Sequence, residues 1–198
     1  DLYEQVPQPI AQAVMFCLMD VSASMDEQMK DLAKRFFILL HLFLHRRYEH
    51  VEVVFIRHTS RAQEVDEETF FYSRETGGTV VSTALNEVLR IVDERYPTAD
   101  WNIYIAQASD GDDTASDVPV CAGLLAETIL PMCQYMAYVE VGRSTGALRL
   151  GRGESPLWGG YRPLTATFDN FAMRTVNEPR DIYPVFRGLF SKETAETA

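Results

Sequence analysis

The sequence predicts an α/β fold: a doubly wound, mostly parallel central sheet flanked by helices, of the Rossmann type. Three observations predict it. Apolar runs of strand length recur along the chain, segments of helical periodicity separate them, and two of the runs lead into aspartates, Asp20 and Asp110. Strands that alternate with helices pair in parallel and are covered on both faces, and such sheets gather ligands beyond the strands' carboxyl ends, where the strand order reverses.

The elements follow in order. Ala13 to Met19 is continuously apolar, the pattern of a strand buried on both faces. A helix is expected from about Asp26 to Tyr48, with Leu32, Phe36, Leu39, Leu40 and Phe43 at helical spacing. Phe37, Ile38, Leu42 and Leu44 make its middle apolar nearly all round, as in a helix packed into a large core. His45, Arg46 and Arg47 fall at its end, where cations offset the negative pole of the helix dipole. Val51 to Ile56 is a second β-branched run, and Arg61 to Val65 with Phe70 to Tyr72 reads as an edge strand or hairpin.

Thr76-Gly77-Gly78-Thr79 marks a turn into a helix in which Leu85, Val88, Leu89 and Val92 share a face and which Pro97 ends. Trp101 to Ala108 is the next strand, followed by the acidic loop Ser109 to Asp113 and a helix entered at Pro119 and closed near Pro131. Asp117 is expected to cap that helix. Gln134 to Val141 is the last central strand. Gly142 to Gly160 contains six glycines and reads as a long surface loop. Phe171 to Val176 forms a final edge strand and Pro179 to Phe190 a closing amphipathic helix. Residues 1–12 read as an N-terminal extension, 13–190 as the domain and 191–198 as a disordered, fraying tail.

Composition narrows the function. Eighteen Lys and Arg face 29 Asp and Glu, a net charge of -11, which argues against a nucleic-acid partner because phosphate binding needs a clustered basic footprint. The longest apolar run, Phe36 to Leu44, is far short of a bilayer span of about 20 residues. Three cysteines make no disulfide framework, so a reducing, cytoplasmic compartment is expected. The chain opens on Asp1-Leu2-Tyr3-Glu4 without an initiator Met, so it reads as a processed chain or a piece of a longer one.

The chemistry concentrates in three loops. Asp20-x-Ser22-x-Ser24 sets three hard oxygen donors at alternating positions, which suits Mg2+ or Mn2+. The same loop also fits a capping box of Ser24 with Glu27, and the two readings are compatible. Gly77-Gly78-Thr79 allows close backbone approach and presents a hydroxyl, while Ser109-Asp110-Gly111 supplies a second carboxylate. Asp112, Asp113 and Asp117 crowd beside it and read as a solvated acidic loop.

Asp20-x-Ser22-x-Ser24, then Thr79, then Asp110, resembles the metal-ion-dependent adhesion site (MIDAS) of von Willebrand factor A (VWA) and integrin I domains. The resemblance implies that Ser22, Ser24 and Thr79 contact the ion, that Asp20 and Asp110 act largely through water, and that an acidic residue of a protein partner completes the coordination. A closer resemblance runs over roughly residues 10 to 190. Gln12-Ala-Val-Met-Phe-Cys-Leu-Met-Asp20-Val-Ser22, Val53-Val-Phe-Ile-Arg-His58, Glu75-Thr-Gly-Gly-Thr79, Ala106-Gln-Ala-Ser-Asp110-Gly-Asp112 and Asp181-Ile-Tyr-Pro-Val-Phe186 are similar to the bacterial YeaH/YhbH family. That implies the C-terminal VWA-like domain of a longer protein associated with stress responses and sporulation, beside a PrkA-type serine kinase and a SpoVR-like protein.

The alternatives are a scaffold without metal and, further off, a Mg-dependent phosphohydrolase starting from Asp20. The latter chemistry wants a second aspartate two residues on, where Ser22 stands. His41 and His45 have a zinc-compatible spacing, but Leu42 occupies the position of the zincin glutamate. Tyr72, Trp101, Tyr104 and Trp158 read as core or rim aromatics. The expectation is thus a metal-dependent interaction module, with no catalytic residues and no organic cofactor.

Overall fold

The computed structural model describes residues 10–72, 77–142 and 153–190. Its sheet has six strands in the order β3-β2-β1-β4-β5-β6. These are β1 (Gln12–Asp20), β2 (His50–His58), β3 (Ala62–Val65), β4 (Asn102–Ser109), β5 (Tyr135–Val141) and β6 (Phe171–Val176). All neighbours pair in parallel except β3, which runs antiparallel along the edge of β2. The chain steps outward from β1 to β2 and β3, then crosses to β4 on the other side of β1. The reversal point therefore lies between β1 and β4, whose carboxyl ends carry Asp20 and Ser109.

Alternation along the strands divides the core into two layers. Met15, Cys17 and Met19 of β1, with Tyr104 and Ala106 of β4, face α1 (Glu27–Arg47), α2 (Glu67–Tyr72) and α7 (Ile182–Phe190). Val14, Phe16 and Leu18, with Ile103 and Ile105, face α3 (Ser82–Arg95), α4 (Val118–Leu124) and α6 (Pro156–Tyr161). Continuously apolar strands are what two covered faces require.

The helix α1 begins where expected, but its cap is Asp26, whose Oδ1 accepts from the Met29 N–H at 2.9 Å. The Ser24 and Glu27 capping box is not formed, which leaves the Ser24 hydroxyl to the loop. Nor is α1 buried all round. Leu32, Phe36, Phe37, Leu40 and Leu44 pack into the core, whereas Ile38 and Leu42 are 52% and 54% exposed. A helix lying on one sheet face has an outer side whatever its composition.

Three further expectations change. Phe70 to Tyr72 belongs to α2, not to a hairpin, because Asp66 accepts from the Thr69 N–H at 2.7 Å and starts a helical turn. The helix opened at Val118 runs from α4 through a π turn (Leu125–Ile129) into α5 (Leu130–Met132), so Pro131 lies inside its last turn. The glycine-rich stretch is no uniform loop: Ser155 caps α6 by accepting from the Trp158 N–H at 3.2 Å, and Leu157 and Tyr161 are buried. Residues 143–152 of that stretch, the segment 73–76 preceding the Gly pair, most of the extension 1–12 and the tail 191–198 lie outside the described residues.

The two environments on α1 separate neighbouring apolar residues. Phe36→Ala should lower unfolding free energy by about 3–5 kcal/mol, and Ile38→Ala by less than about 0.5 kcal/mol. Urea titrations followed by circular dichroism measure both, and equal losses would contradict the layering.

Candidate metal centre

Asp20 ends β1 on the face that carries Val14, Phe16 and Leu18, and its side chain is wholly buried. A buried carboxylate is costly unless donors surround it. Here Oδ1 accepts from the Ser22 N–H at 2.8 Å and Oδ2 from the Ser109 hydroxyl at 3.2 Å, across the β1–β4 junction. The Ser109 Oγ accepts in turn from the Gly111 N–H at 3.0 Å. The chain beyond Asp20 is thereby turned so that the Ser22 and Ser24 hydroxyls meet at 3.2 Å. Ser22 is buried and Ser24 exposed.

Asp110 follows β4 and is half-buried. Burial pushes its carboxyl above the usual carboxylate range and the Asp20 charge adds to the rise, while hydrogen bonds from the Ser24 hydroxyl and the Asp112 N–H oppose it. The Asp112 N–H lies 3.1 Å from Oδ1. Asp20, Ser22, Ser24 and Asp110 thus form one connected group. No ion pair among the described residues involves Asp20 or Asp110. Two carboxylates and two hydroxyls without a countercharge form a donor set that fits a hard divalent cation.

The loop with Thr79 is brought against this group through its backbone. Gly77 C=O accepts from the Ala23 N–H at 3.2 Å, and Thr59 C=O accepts from the Val80 N–H at 2.9 Å. A side chain at Gly77 would press on Thr59, 3.0 Å from its Cβ. The Thr79 hydroxyl itself makes no hydrogen bond among the described residues. Thr83, the neighbouring hydroxyl, is turned back onto the Val80 C=O at 2.7 Å.

Asp117 corrects an expectation. It stands at the head of α4, yet its Oδ2 accepts from the Ser82 N–H at 2.9 Å and so holds the start of α3 instead. Spacing names the helix that follows a residue; only tertiary contact names a distant one.

Sequence reasoning missed a set of buried polar groups below the rim. His58, Gln107, Ser109, Tyr138 and Glu140 all sit on buried strand positions. The Glu140 Oε2 accepts from the Ser155 hydroxyl at 2.5 Å and the Tyr138 hydroxyl at 3.2 Å. Tyr161 donates to Gln107 Oε1 at 3.4 Å. Polar residues at positions 107 and 109, in phase with the apolar Ile103 and Ile105, were the available signal. The discounted His41 and His45 meet at 2.6 Å between Nε2 atoms on the outer face of α1, away from the sheet edge. Tyr104 is a core residue bonded to Tyr48 at 2.7 Å, whereas Tyr72 is exposed.

Known proteins resemble this chain at two levels. Residues 1–193 match the family described as "Protein of unknown function (DUF444)". The chain is 57% identical over 195 residues to a UPF0229 protein of Chelativorans sp. (strain BNC1), covering 98% of this chain and 45% of that protein. It therefore spans under half the length of such relatives. Among solved structures, an aerotolerance-related membrane protein from Bacteroides fragilis aligns with TM-score 0.59 and 15% identity, over 91% of this chain and 99% of that one. The pilus adhesin SpaC from Lactobacillus rhamnosus GG aligns with TM-score 0.61 and 9% identity, over 93% of this chain and 30% of that one. At such identities the likeness is one of fold, the VWA-like α/β arrangement. No helix among the described residues is long and apolar enough to cross a membrane.

The turn after Asp110 requires glycine. Gly111 has φ +90, and a Cβ there would land on the Ser155 Oγ and the Glu140 Oε2. Gly111→Ala should cost at least about 2 kcal/mol, from left-handed backbone strain and overpacking together. Gly123→Ala, in a helix with open space around the site, should instead raise stability by about 0.4–1 kcal/mol. Paired chemical denaturation curves decide it, and a neutral Gly111→Ala would mean the turn is placed wrongly.

Proposed function

The chain belongs to the family described as DUF444, and from the geometry of its sheet edge we propose that it is a protein-interaction module that binds its partner through a divalent cation. The observation that carries this reading is the meeting of Asp20, Ser22, Ser24 and Asp110 at the β1–β4 reversal, without a countercharge among the described ion pairs. Ser22, Ser24 and Thr79 would supply hydroxyl ligands to Mg2+ or Mn2+, with Asp20 and Asp110 holding waters and charge. The bound ion would offer a free coordination position to an acidic side chain of the partner. Ser24 is exposed and Asp110 half-buried above a sealed Asp20, so the donors open toward solvent, from which a partner approaches.

The same geometry disfavours catalysis. A nucleophilic aspartate must reach its substrate, whereas Asp20 is wholly buried with both oxygens engaged. No general acid stands two residues on, where Ser22 serves the loop. A metal-free scaffold is the second reading, favoured by the Thr79 hydroxyl, which makes no hydrogen bond to the Asp20 group among the described residues.

The setting follows from the resemblance to the YeaH/YhbH family. In this reading the chain is the C-terminal VWA-like domain of a longer stress-response or sporulation-associated protein. Its match to less than half of each relative's length supports a longer parent protein. The partner is a PrkA-type serine kinase or a SpoVR-like protein, and the compartment the cytoplasm, a placement supported by three cysteines that are all buried and free. Pull-down of the longer parent protein with Mg2+ or with a chelator tests the partner; retention that ignores the chelator argues for the scaffold.

For the chain itself, the cage is incomplete until a partner binds, so Mg2+ should stabilise it modestly. With an assumed dissociation constant of about 1 mM, 10 mM Mg2+ contributes roughly 1.4 kcal/mol. That is a rise of about 3–6 °C in melting temperature. Mn2+ should act likewise, Ca2+ less, and Ser22→Ala/Ser24→Ala should abolish the shift. A wild type whose melting temperature ignores both Mg2+ and Mn2+ would sink the metal reading.

A further inference from the structure

The histidine pair of α1 lacks the zincin glutamate, but that glutamate is the general base of a zincin and the two histidines are its ligands. Leu42 therefore removes a catalytic group and leaves the ligand pair intact. Residues four apart on a helix share a face, one turn above the other. Here the His41 and His45 rings stand 4.3 Å apart between centroids, inclined at 67°, and their Nε2 atoms meet at 2.6 Å. Both rings bring the same nitrogen to one point. His45 is exposed and His41 half-buried, so solvent reaches the pair.

The contact is a hydrogen bond in which one neutral ring donates and the other accepts. Two imidazoles bound to one ion at about 2.0–2.1 Å place their nitrogens roughly 2.9–3.4 Å apart, for angles between square and tetrahedral. Turning two surface side chains apart by less than about 1 Å thus makes the pair bidentate. The surroundings favour a cation. The pair lies in the last two turns of α1, toward the negative pole of the helix dipole. Arg47 of the same turn is engaged with the Tyr48 ring, 6.0 Å from its centroid. Partial burial and the neighbouring His45 ring hold the His41 imidazole below its ordinary value, against the pull of Glu67, which keeps it in the neutral form that ligates. Among the described residues the group of three or more metal-ligating side chains lies elsewhere, at Asp113, Asp117 and Cys121, so the pair supplies two ligands and leaves the other positions to water.

We propose that His41 and His45 form a bidentate site for a borderline divalent ion such as Zn2+, open to solvent on the outer face of α1 and separate from the Asp20 loop. Imidazole nitrogens suit zinc, whereas magnesium takes oxygen ligands. On binding, the hydrogen of the donor ring moves from Nε2 to Nδ1, which frees Nε2 for the ion without net release of a proton. The bound ion ties two successive turns of α1 together just before the helix ends at Tyr48. This assignment does not rest on magnesium binding at Asp20.

Zinc itself is the probe, titrated by calorimetry into the chelator-treated 198-residue chain with Mg2+ in excess. One equivalent should bind. His41→Ala and His45→Ala should each weaken binding about tenfold or more, because the second bond of a bidentate site forms within the same molecule. Both should keep the wild-type circular dichroism, since the two rings lie at the helix surface. His50→Ala, which removes an exposed ring beside Glu52, and Cys121→Ala should titrate like the wild type. A wild type that takes up no Zn2+ overturns the site, as do His41→Ala and His45→Ala chains that bind as tightly as the wild type. Loss of uptake in Cys121→Ala would place the ion at the acidic cluster instead, and uptake seen only without Mg2+ would place it in the Asp20 loop.

Discussion

The carboxyl edge of this domain is organised around one buried carboxylate at the place where two strands part. Asp20 closes an apolar strand with its side chain wholly buried, so its two oxygens need donors close by. The Ser22 N–H meets one and the Ser109 hydroxyl the other. The first contact curls the loop that carries Ser22 and Ser24. The second ties that loop to β4 and, through the Gly111 N–H, to the turn that carries Asp110. The site geometry is in this sense a consequence of how Asp20 is accommodated.

The parallel sheet makes that arrangement available. Because β1 is flanked by β2 on one side and β4 on the other, the connections leave its end in opposite directions and a crevice opens between them. The face toward α3 and α4 is apolar over most of its depth and becomes polar at the last positions of several strands: Asp20, His58, Gln107 with Ser109, and Glu140. Tyr161 and Ser155 reach this layer from α6 and its cap. Two members, the ring nitrogens of His58 and the Gln107 Nε2, have no hydrogen-bond partner, which sets this region apart from the satisfied core beneath it.

Stability and site chemistry therefore occupy different depths of one scaffold. The two apolar layers of the sheet hold the fold, while polar side chains cluster at the strand ends, where loops cover them. The Gly77 and Gly111 backbones approach neighbouring side chains closely, and at Gly111 the conformation excludes a side chain.

Much of this was legible in the sequence. The apolar run before Asp20, the helical spacing from Leu32 onward and the β-branched strand β2 follow from side-chain periodicity, which depends on residues a few positions apart. The Asp20, Ser22 and Ser24 pattern was legible for the same reason. Long-range contact settled the rest. Asp117 was read as the cap of its own helix and instead holds Ser82, 35 residues earlier. Ile38 and Leu42 read as core and are exposed, because a helix on a sheet has an outer face that composition does not reveal. Gly153 to Gly160 read as loop, yet Leu157 and Tyr161 fold it into a helix against α4. The packing of Val54 and Ile56 into one layer with Leu85 and Cys121 has no counterpart in local pattern. It exists only once β2, α3 and α4 are laid on the same face of one sheet, since spacing along a chain fixes which residues share an element, and packing alone fixes which elements share a site.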